Sequence, residues 1–449
     1  MKANKVYQNY TRPGFGQIIM LALTIALGVT LLVSIIIWNR NSEKYSARGE
    51  TWIPEPEGVT LAPPVDGELR IAVASDLHLD PDNTDRSGDV TAVSYNPELV
   101  DALLWDMRQK GAEIVLLTGD LVNGGKSHRH EALAEKLYAA EADGLRIYVL
   151  PGNHDLAPIG QKDFASYYAD FGYNEAFSRD RTSLSYSILL DDLMLLMLDT
   201  GGYRAGAIDL PNAPKRENNE AFLSEFTLRW IEEQLKEAQT RRIHVLCAGH
   251  YNLLTEYSRI PESGYYLENG DRLAKLLRQY HVPLYLSGHM HVQAVYQENG
   301  LTELLTEYLL SYPTGYSILD LMEHTLRFTP VRVDVNAWAA AANQHDPVLL
   351  RFSEWQMDTL RASCKTAVES MAERNTLRKD EVEKASDFFY AVMLAYWEGT
   401  LSEKRDTLET MPGRQPFFRS ADGYSYGWWL QDMMDFASPM MRGFALEWG

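Results

Sequence analysis

Cysteine is almost missing from this chain of 449 residues, which holds only Cys247 and Cys364. Two thiols exclude a disulfide framework and a cysteine-built zinc site, and both read as small buried apolar residues. Bases are also scarce: 42 Lys and Arg face 62 Asp and Glu, a net charge of −20. That balance argues against a nucleic-acid partner bound through a basic surface, and the acid surplus serves solubility. No internal repeat or low-complexity tract is present. What remains, 45% hydrophobic and 23% charged residues, is the composition of a globular protein and excludes wholesale disorder. The length allows two or three units.

One long apolar run stands out. Ile18 to Trp38 is 21 residues without a charge, enough to span a bilayer as a helix. The run is longer than the apolar core of a cleaved signal and ends in Trp38-Asn39-Arg40. It is expected to be an uncleaved single-pass anchor in the cell membrane. Lys2, Lys5 and Arg12 precede it without an acid; Arg40, Lys44 and Arg48 follow it together with Glu43 and Glu50. Three bases and the amino terminus before the run, against three bases tempered by two acids after it, favour a cytoplasmic N-terminus and put the body that follows outside. Residues 1–17 are then an N-terminal tail, 18–38 the anchor, and 39–66 a linker made semi-rigid by Pro54, Pro56, Pro63 and Pro64.

From Leu69 onward, short apolar runs alternate with amphipathic stretches. Strands are expected at Leu69–Ser75, Ile114–Thr118, Leu145–Leu150, Ile243–Ala248 and Pro283–Ser287, with a hairpin at Leu184–Leu190 and Leu193–Leu198. Helices are expected at Asn96–Gln109, His128–Ala142, Glu220–Gln239 and Leu267–Tyr280. That alternation predicts α/β layers. Five of the strands deliver polar residues to their carboxyl ends: Asp76-Leu77-His78, Gly119-Asp120, Gly152-Asn153-His154-Asp155, Gly249-His250 and Gly288-His289-Met290-His291. Sites in α/β sheets are built on that edge. In Asp76-x-His78 and His289-x-His291 an alternating backbone would turn both side chains one way. Carboxylates mixed with imidazoles suit Zn²⁺, Mn²⁺ or Fe rather than Ca²⁺ or Cu(I). Asp76, His78, Asp120, Asn153, His250, His289 and His291 are too many for one tetrahedral ion with an open position. They match two ions sharing a carboxylate.

These blocks, in this order, resemble the calcineurin-like metallophosphoesterase superfamily, whose signature runs D-x-H, G-D, G-N-H-[DE], H, G-H-x-H. The resemblance covers about Leu69 to Val335. It implies a four-layer α/β/β/α sandwich over residues 67–345 and a binuclear centre of two divalent or trivalent ions (Mn, Fe or Zn). By position, one ion would take Asp76, His78, Asp120 and His291, and the other Asp120, Asn153, His250 and His289. His154 would lie beside the substrate phosphate, with Asp155 orienting it; Asp155 is alternatively a turn or helix-cap residue. The implied reaction is attack on phosphorus by a metal-bridging hydroxide, with His154 stabilising charge or protonating the leaving oxygen. Within the superfamily the chain looks most like the bacterial class III cyclic nucleotide phosphodiesterase-like branch. That favours a phosphodiester substrate over the alternative of a phosphomonoesterase or nucleotidase.

Loops Thr200–Glu217 and Tyr251–Tyr266 carry aromatic residues able to line a substrate pocket. Gly124-Gly125-Lys126-Ser127 lacks the earlier glycine that a phosphate-cradling loop needs, because Asp120 stands there. From about Asp346 to the end, residues 346–449, the pattern turns helical: Leu349–Ala372, Lys379–Trp397, a helix opened by the box Thr400-x-x-Glu403, and Tyr426–Phe436. The aromatic end there reads as core. A non-catalytic surface module with a structural metal and a helical unit that binds a protein partner is the competing class.

Overall fold

A computed structural model describes residues 68–83, 86, 91–201, 221–254, 266–375, 377–421, 427, 430, 431, 434 and 442–448. The anchor Ile18–Trp38, the linker 39–66, most of both aromatic loops and most of Tyr426–Phe436 lie outside them. Among the described residues, no helix is long and apolar enough to cross a membrane.

The chain opens with β1 (Leu69–Ala74), α1 (Asn96–Gln109), β2 (Ile114–Leu117), α2 (Ser127–Ala142) and β3 (Arg146–Val149). In α1, Leu99, Val100, Leu103 and Met107 recur at helical spacing and are buried. Each contributes about 1.5–3 kcal/mol relative to exposure. Pro97 sits in the first turn, where its missing N–H would have had no partner. The strands pair in parallel, with Ile71 beside Ile114 and Leu116 beside Tyr148. The connections between these parallel strands run through α1 and α2.

The chain continues through α3 (Gln161–Tyr167), β4 (Ser178–Arg179), β5 (Tyr186–Leu189), β6 (Leu193–Leu198), α4 (Glu225–Arg241), β7 (His244–Gly249), α5 (Gly270–Gln279) and β8 (Leu284–Ser287). Next come β9 (Ala294–Glu298), β10 (Leu301–Leu305), β11 (Gly315–Leu321) and β12 (Thr325–Arg332). The final part holds α6 (Val335–Ala341), α7 (Phe352–Asn375), α8 (Lys379–Trp397), α9 (Leu401–Glu409), α10 (Arg414–Ser420) and β13 (Phe444–Glu447). One sheet runs β13-β12-β11-β1-β2-β3 and the other β4-β5-β6-β7-β8-β10-β9.

Along β6 the alternation of a strand sorts the core. Leu193, Leu195 and Met197 join the cluster shared with the first sheet, whereas Met194, Leu196 and Leu198 pack with Ile231 and Leu235 of α4 and Leu273 and Leu277 of α5. The second sheet is thereby covered by the first on one side and by helices on the other. The C-terminal helices build a core of their own from Cys364, Val368, Phe388, Phe389 and Phe417.

Three expectations are corrected. The helix expected from Glu220 begins at Glu225, because Ser224 caps it and accepts from Thr227 N at 3.0 Å. Thr400 does not form the expected capping box, since its hydroxyl bonds Ala395 O instead. Residues 346–449 are not wholly helical: β13 returns to the first sheet and pairs antiparallel with β12, Phe444 opposite Phe328.

Candidate metal centre

β1, β2 and β3 of the first sheet and β7 and β8 of the second end at one place. The residues following them gather there. Asp76, His78, Asp120 and His291 form one group and Asp120, His250 and His289 another, with the ligand atoms of each group within 4.8 Å of one another. Asp120 belongs to both. Asn153 joins the second group through Oδ1, 3.1 Å from His250 Nε2. All seven expected metal-binding residues are thus brought together.

The backbone at this edge is not the alternating strand expected for Asp76-x-His78 and His289-x-His291. Strand geometry stops before them. Asp76, His78, Asp120, His289 and His291 have φ of 53°, 42°, 50°, 65° and 59°. This left-handed conformation costs a non-glycine residue about 1–2 kcal/mol. Backbone bonds between loops hold the conformation: Asp76 N donates to Gly119 O at 3.0 Å and His78 N to Asp120 O at 2.9 Å. Buried Asn96 grips the same loop, donating to Leu77 O at 2.8 Å and accepting from Asp80 N at 2.7 Å. Glycine is needed at two contacts. A Cβ on Gly119, whose φ is +98°, would lie 2.6 Å from His250 Nδ1. One on Gly288 would lie 1.8 Å from Ser75 Oγ.

The distances describe a site of ligand atoms crowded without mutual satisfaction. His78 Nε2 lies 3.3 Å from His291 Nε2 and 3.5 Å from Asp120 Oδ2. His250 Nε2 is also 3.5 Å from Asp120 Oδ2. One Asp76 oxygen accepts from His289 N at 2.9 Å. The other, Oδ1, is buried with no hydrogen-bond partner among the described residues and lies 3.2 Å from His291 Nε2. A buried carboxylate oxygen without a partner is costly, and a cation would satisfy it. His250 Nδ1 lies 2.9 Å from Thr118 O, an arrangement that makes Nδ1 the donor and leaves Nε2 free to ligate. The residues present therefore fit a metal site.

Electrostatics agree. Burial would raise the Asp76 carboxyl, but the imidazoles of His291 and His78 outweigh it and hold it well below the usual carboxylate range. Asp120 is likewise lowered, burial being overcome by His250 and His78. Burial would lower His250, yet the charge and hydrogen bond of Asp120 push it up to about 9. The cluster holds positive charge strongly, and metal ions binding here would displace protons from the imidazoles.

His154 stands at the rim. Its backbone N donates to Asp120 Oδ1 at 2.7 Å, its ring is 4.0 Å from Asp120 Oδ2, and its side chain is 46% exposed. Partial burial, opposed by Asp120 and aided by His78, lowers its pKa. Asp155 does not touch the His154 ring as expected. Its oxygens accept from Val122 N at 3.0 Å and Gly152 N at 2.7 Å, joining the loops after β2 and β3. Burial and then the Asp120 charge push it up to about 6. This is the turn-holding alternative.

Three residues escaped the sequence reading. Asn96 looked like an ordinary helix start. Glu303 is fully buried in β10 and accepts from Leu253 N, Leu254 N and Ser287 Oγ, fixing the loop after His250. An acid among the leucines of a short strand was the available signal. Tyr308 packs on the ligand rings, stacked on His291 at 4.5 Å and edge-on to His78 at 5.3 Å; no motif marks it.

The fold and this edge of aspartates and histidines define a metallophosphoesterase. The calcineurin-like phosphoesterase family matches residues 69–293, half of the chain, and the chain belongs to that family. Residues 334–435 match the family described as the C-terminal domain of cyclic nucleotide phosphodiesterase. Among solved structures the chain is similar to a dimetal phosphatase from Danio rerio (12% identity over 58% of this chain and 95% of that one, TM-score 0.43). It is also similar to a protein of Thermus thermophilus, TT1561 (14% identity, 59% and 99%, TM-score 0.37). A third is purple acid phosphatase PPD1 from yellow lupin, Lupinus luteus (14% identity, 61% and 52%, TM-score 0.39). A comparison with curated proteins found no match.

Proposed function

We propose that this chain is a binuclear metal-dependent phosphodiesterase, acting on a cyclic nucleotide-like ester and held at the cell membrane by Ile18–Trp38 with its catalytic body outside. The observation that carries the reading is the pair of ligand groups sharing Asp120, with His154 beside them. The C-terminal match to a cyclic nucleotide phosphodiesterase domain supports the choice of diester over monoester. Asp76, His78, Asp120 and His291 would hold one ion, and Asp120, Asn153, His250 and His289 the second. Two such ions, of Mn, Fe or Zn, supply Lewis-acid activation of a phosphate ester and a nucleophile near neutral pH. Asp120, common to both groups, would screen the two positive charges from each other. His154 faces the open side, where its ring donates to a phosphoryl or leaving-group oxygen. Asp155 keeps the Gly152–Asp155 turn in place. Mn²⁺-loaded full-length protein in detergent should hydrolyse bis-p-nitrophenyl phosphate, and a cyclic nucleotide faster than the corresponding monoester. Hydrolysis of monoesters alone would replace the diester reading with phosphomonoesterase; no hydrolysis of either, with metal bound, would leave a structural metal module. Protease added to intact cells should degrade the body, and protection until lysis would reverse the orientation.

A further inference from the structure

Tyr308 lies in none of the signature blocks, yet it forms a wall of the site. Its ring covers the His291 ring at 4.5 Å with a 16° interplanar angle and meets His78 edge-on. Its backbone bridges to Ser75, the neighbour of Asp76. The side chain is half-buried. Among the described residues no group hydrogen-bonds its hydroxyl, although Asp76, Asp120 and Asp80 are near enough to act on it by charge. A tyrosine hydroxyl can donate as well as accept.

A second observation concerns what holds it. After Tyr308 the chain makes two turns, Ser311 N donating to Tyr308 O and Thr314 N to Ser311 O. Thr314, a β-branched residue, has a φ of 58°, a conformation that needs outside support. Gln356 of α7, itself buried, gives that support, its amide donating to Ser311 O at 3.1 Å and to Thr314 Oγ1. The first turns of the C-terminal region therefore reach the loop that carries Tyr308.

We infer that Tyr308 is a substrate-contacting residue whose hydroxyl donates to a phosphoryl oxygen at the ion held by Asp76, His78 and His291, and that Gln356 of α7 positions it. The inference rests on the phosphoesterase reading. It gives the C-terminal helices a part in the site: they do not enter it, but brace the turn behind one of its walls.

The test uses full-length protein in detergent, loaded with Mn²⁺, and two readouts: metal content by elemental analysis and affinity for orthovanadate by calorimetry. Tyr308→Phe keeps the ring and removes the donor. Retained metal with vanadate affinity and kcat/KM lowered about 10- to 100-fold is expected, the size of a hydrogen bond to a charged group. Gln356→Ala should lower the same quantities less, and the double variant should be no worse than Tyr308→Phe, because both act through one hydroxyl. Wild-type vanadate affinity in Tyr308→Phe, or loss of metal from it, would overturn the hydroxyl role. Additive losses in the double variant would overturn the Gln356 link. A wild-type chain that binds Mn²⁺ but neither turns over nor binds vanadate would overturn the underlying reading, and this inference with it.

Discussion

The carboxyl edge of the two sheets and the C-terminal helical unit obey opposite rules. In the helices, most buried positions, such as Phe388, Phe389 and Phe417, are apolar and charged residues pair at the surface, as Lys384 does with Asp380. At the sheet edge, buried positions include Asp76, His78, Asp120 and His250, five of the site's residues are in left-handed backbone, and one carboxylate oxygen has no hydrogen-bond partner among the described residues. Local rules are broken where ligands must converge and kept where only packing is at stake. One region is built for chemistry and tolerates strain; the other is built for stability. Substitutions should therefore separate the two properties.

The largest effect on chemistry should come from Asp120→Asn. Asp120 is the residue common to both ligand groups. Replacing it should lower activity by more than about 10²-fold, beyond the effect of disturbing an outer-shell partner, and reduce bound metal to one ion or fewer. Elemental analysis finding two tightly held ions with full turnover would remove Asp120 from its shared role. His154→Ala comes next. It should leave the metals in place and lower turnover by about 10²-fold or more. The loss should be greater for a nucleoside alkoxide leaving group than for p-nitrophenolate, which needs little protonation. Equal losses on both substrates would reduce His154 to charge stabilisation.

The helical unit should answer in the other currency. Phe389 is fully buried, with its ring 5.0 Å from that of Phe417. Phe389→Ala should cost about 3–5 kcal/mol of stability by urea denaturation. The folded fraction at low temperature should keep its kcat within about twofold, since no atom of Phe389 belongs to the site. A large fall in kcat without a loss of stability would mean that the two regions are not separable in this way.

The same division explains what could be read from sequence. Short, mostly apolar runs followed by glycine (serine before Asp76) and then Asp, Asn or His are visible in one dimension, because a strand end and its ligand are adjacent in the chain. The blocks at Asp76, Asp120, Asn153, His250 and His289 were therefore legible, along with the α/β layering. The backbone at those blocks was misread: alternation is a property of regular strands, and Asp76 and His78 have left it. Tyr308, Asn96 and Glu303 act across long sequence separations, as in the Ser75 bridge to Tyr308, and a lone Tyr, Asn or Glu carries no spacing signal. β13 was read as part of a helical region because a four-residue strand among aromatics is too short to declare its period.

The smallest expected effect tests whether an unsatisfied polar group outside the ligand clusters is simply a cost. Glu307 precedes Tyr308, is buried, and has one oxygen without a hydrogen-bond partner among the described residues. A Cβ on Gly315 would lie 2.0 Å from its other oxygen, so glycine makes the room it occupies. Burial, only partly opposed by Arg332, pushes its carboxyl up to about 8. The sign follows from the raised value. The fold favours the protonated acid, so this contribution to stability is complete below the unfolded carboxyl's range near 4.5 and is lost as pH rises through about 8. Metal-free protein should therefore lose stability to urea between about pH 5 and pH 9. Glu307→Gln, which keeps the shape and cannot ionise, should flatten that slope and be more stable than wild type at the alkaline end. Activity at neutral pH should change little if Glu307 is only a buried acid. An unchanged slope in Glu307→Gln would show that the carboxyl is not the titrating group. A flattened slope with a loss of turnover would instead tie Glu307 to the placement of Tyr308, and the boundary between the strained edge and the quiet interior would have to be drawn further from the metals.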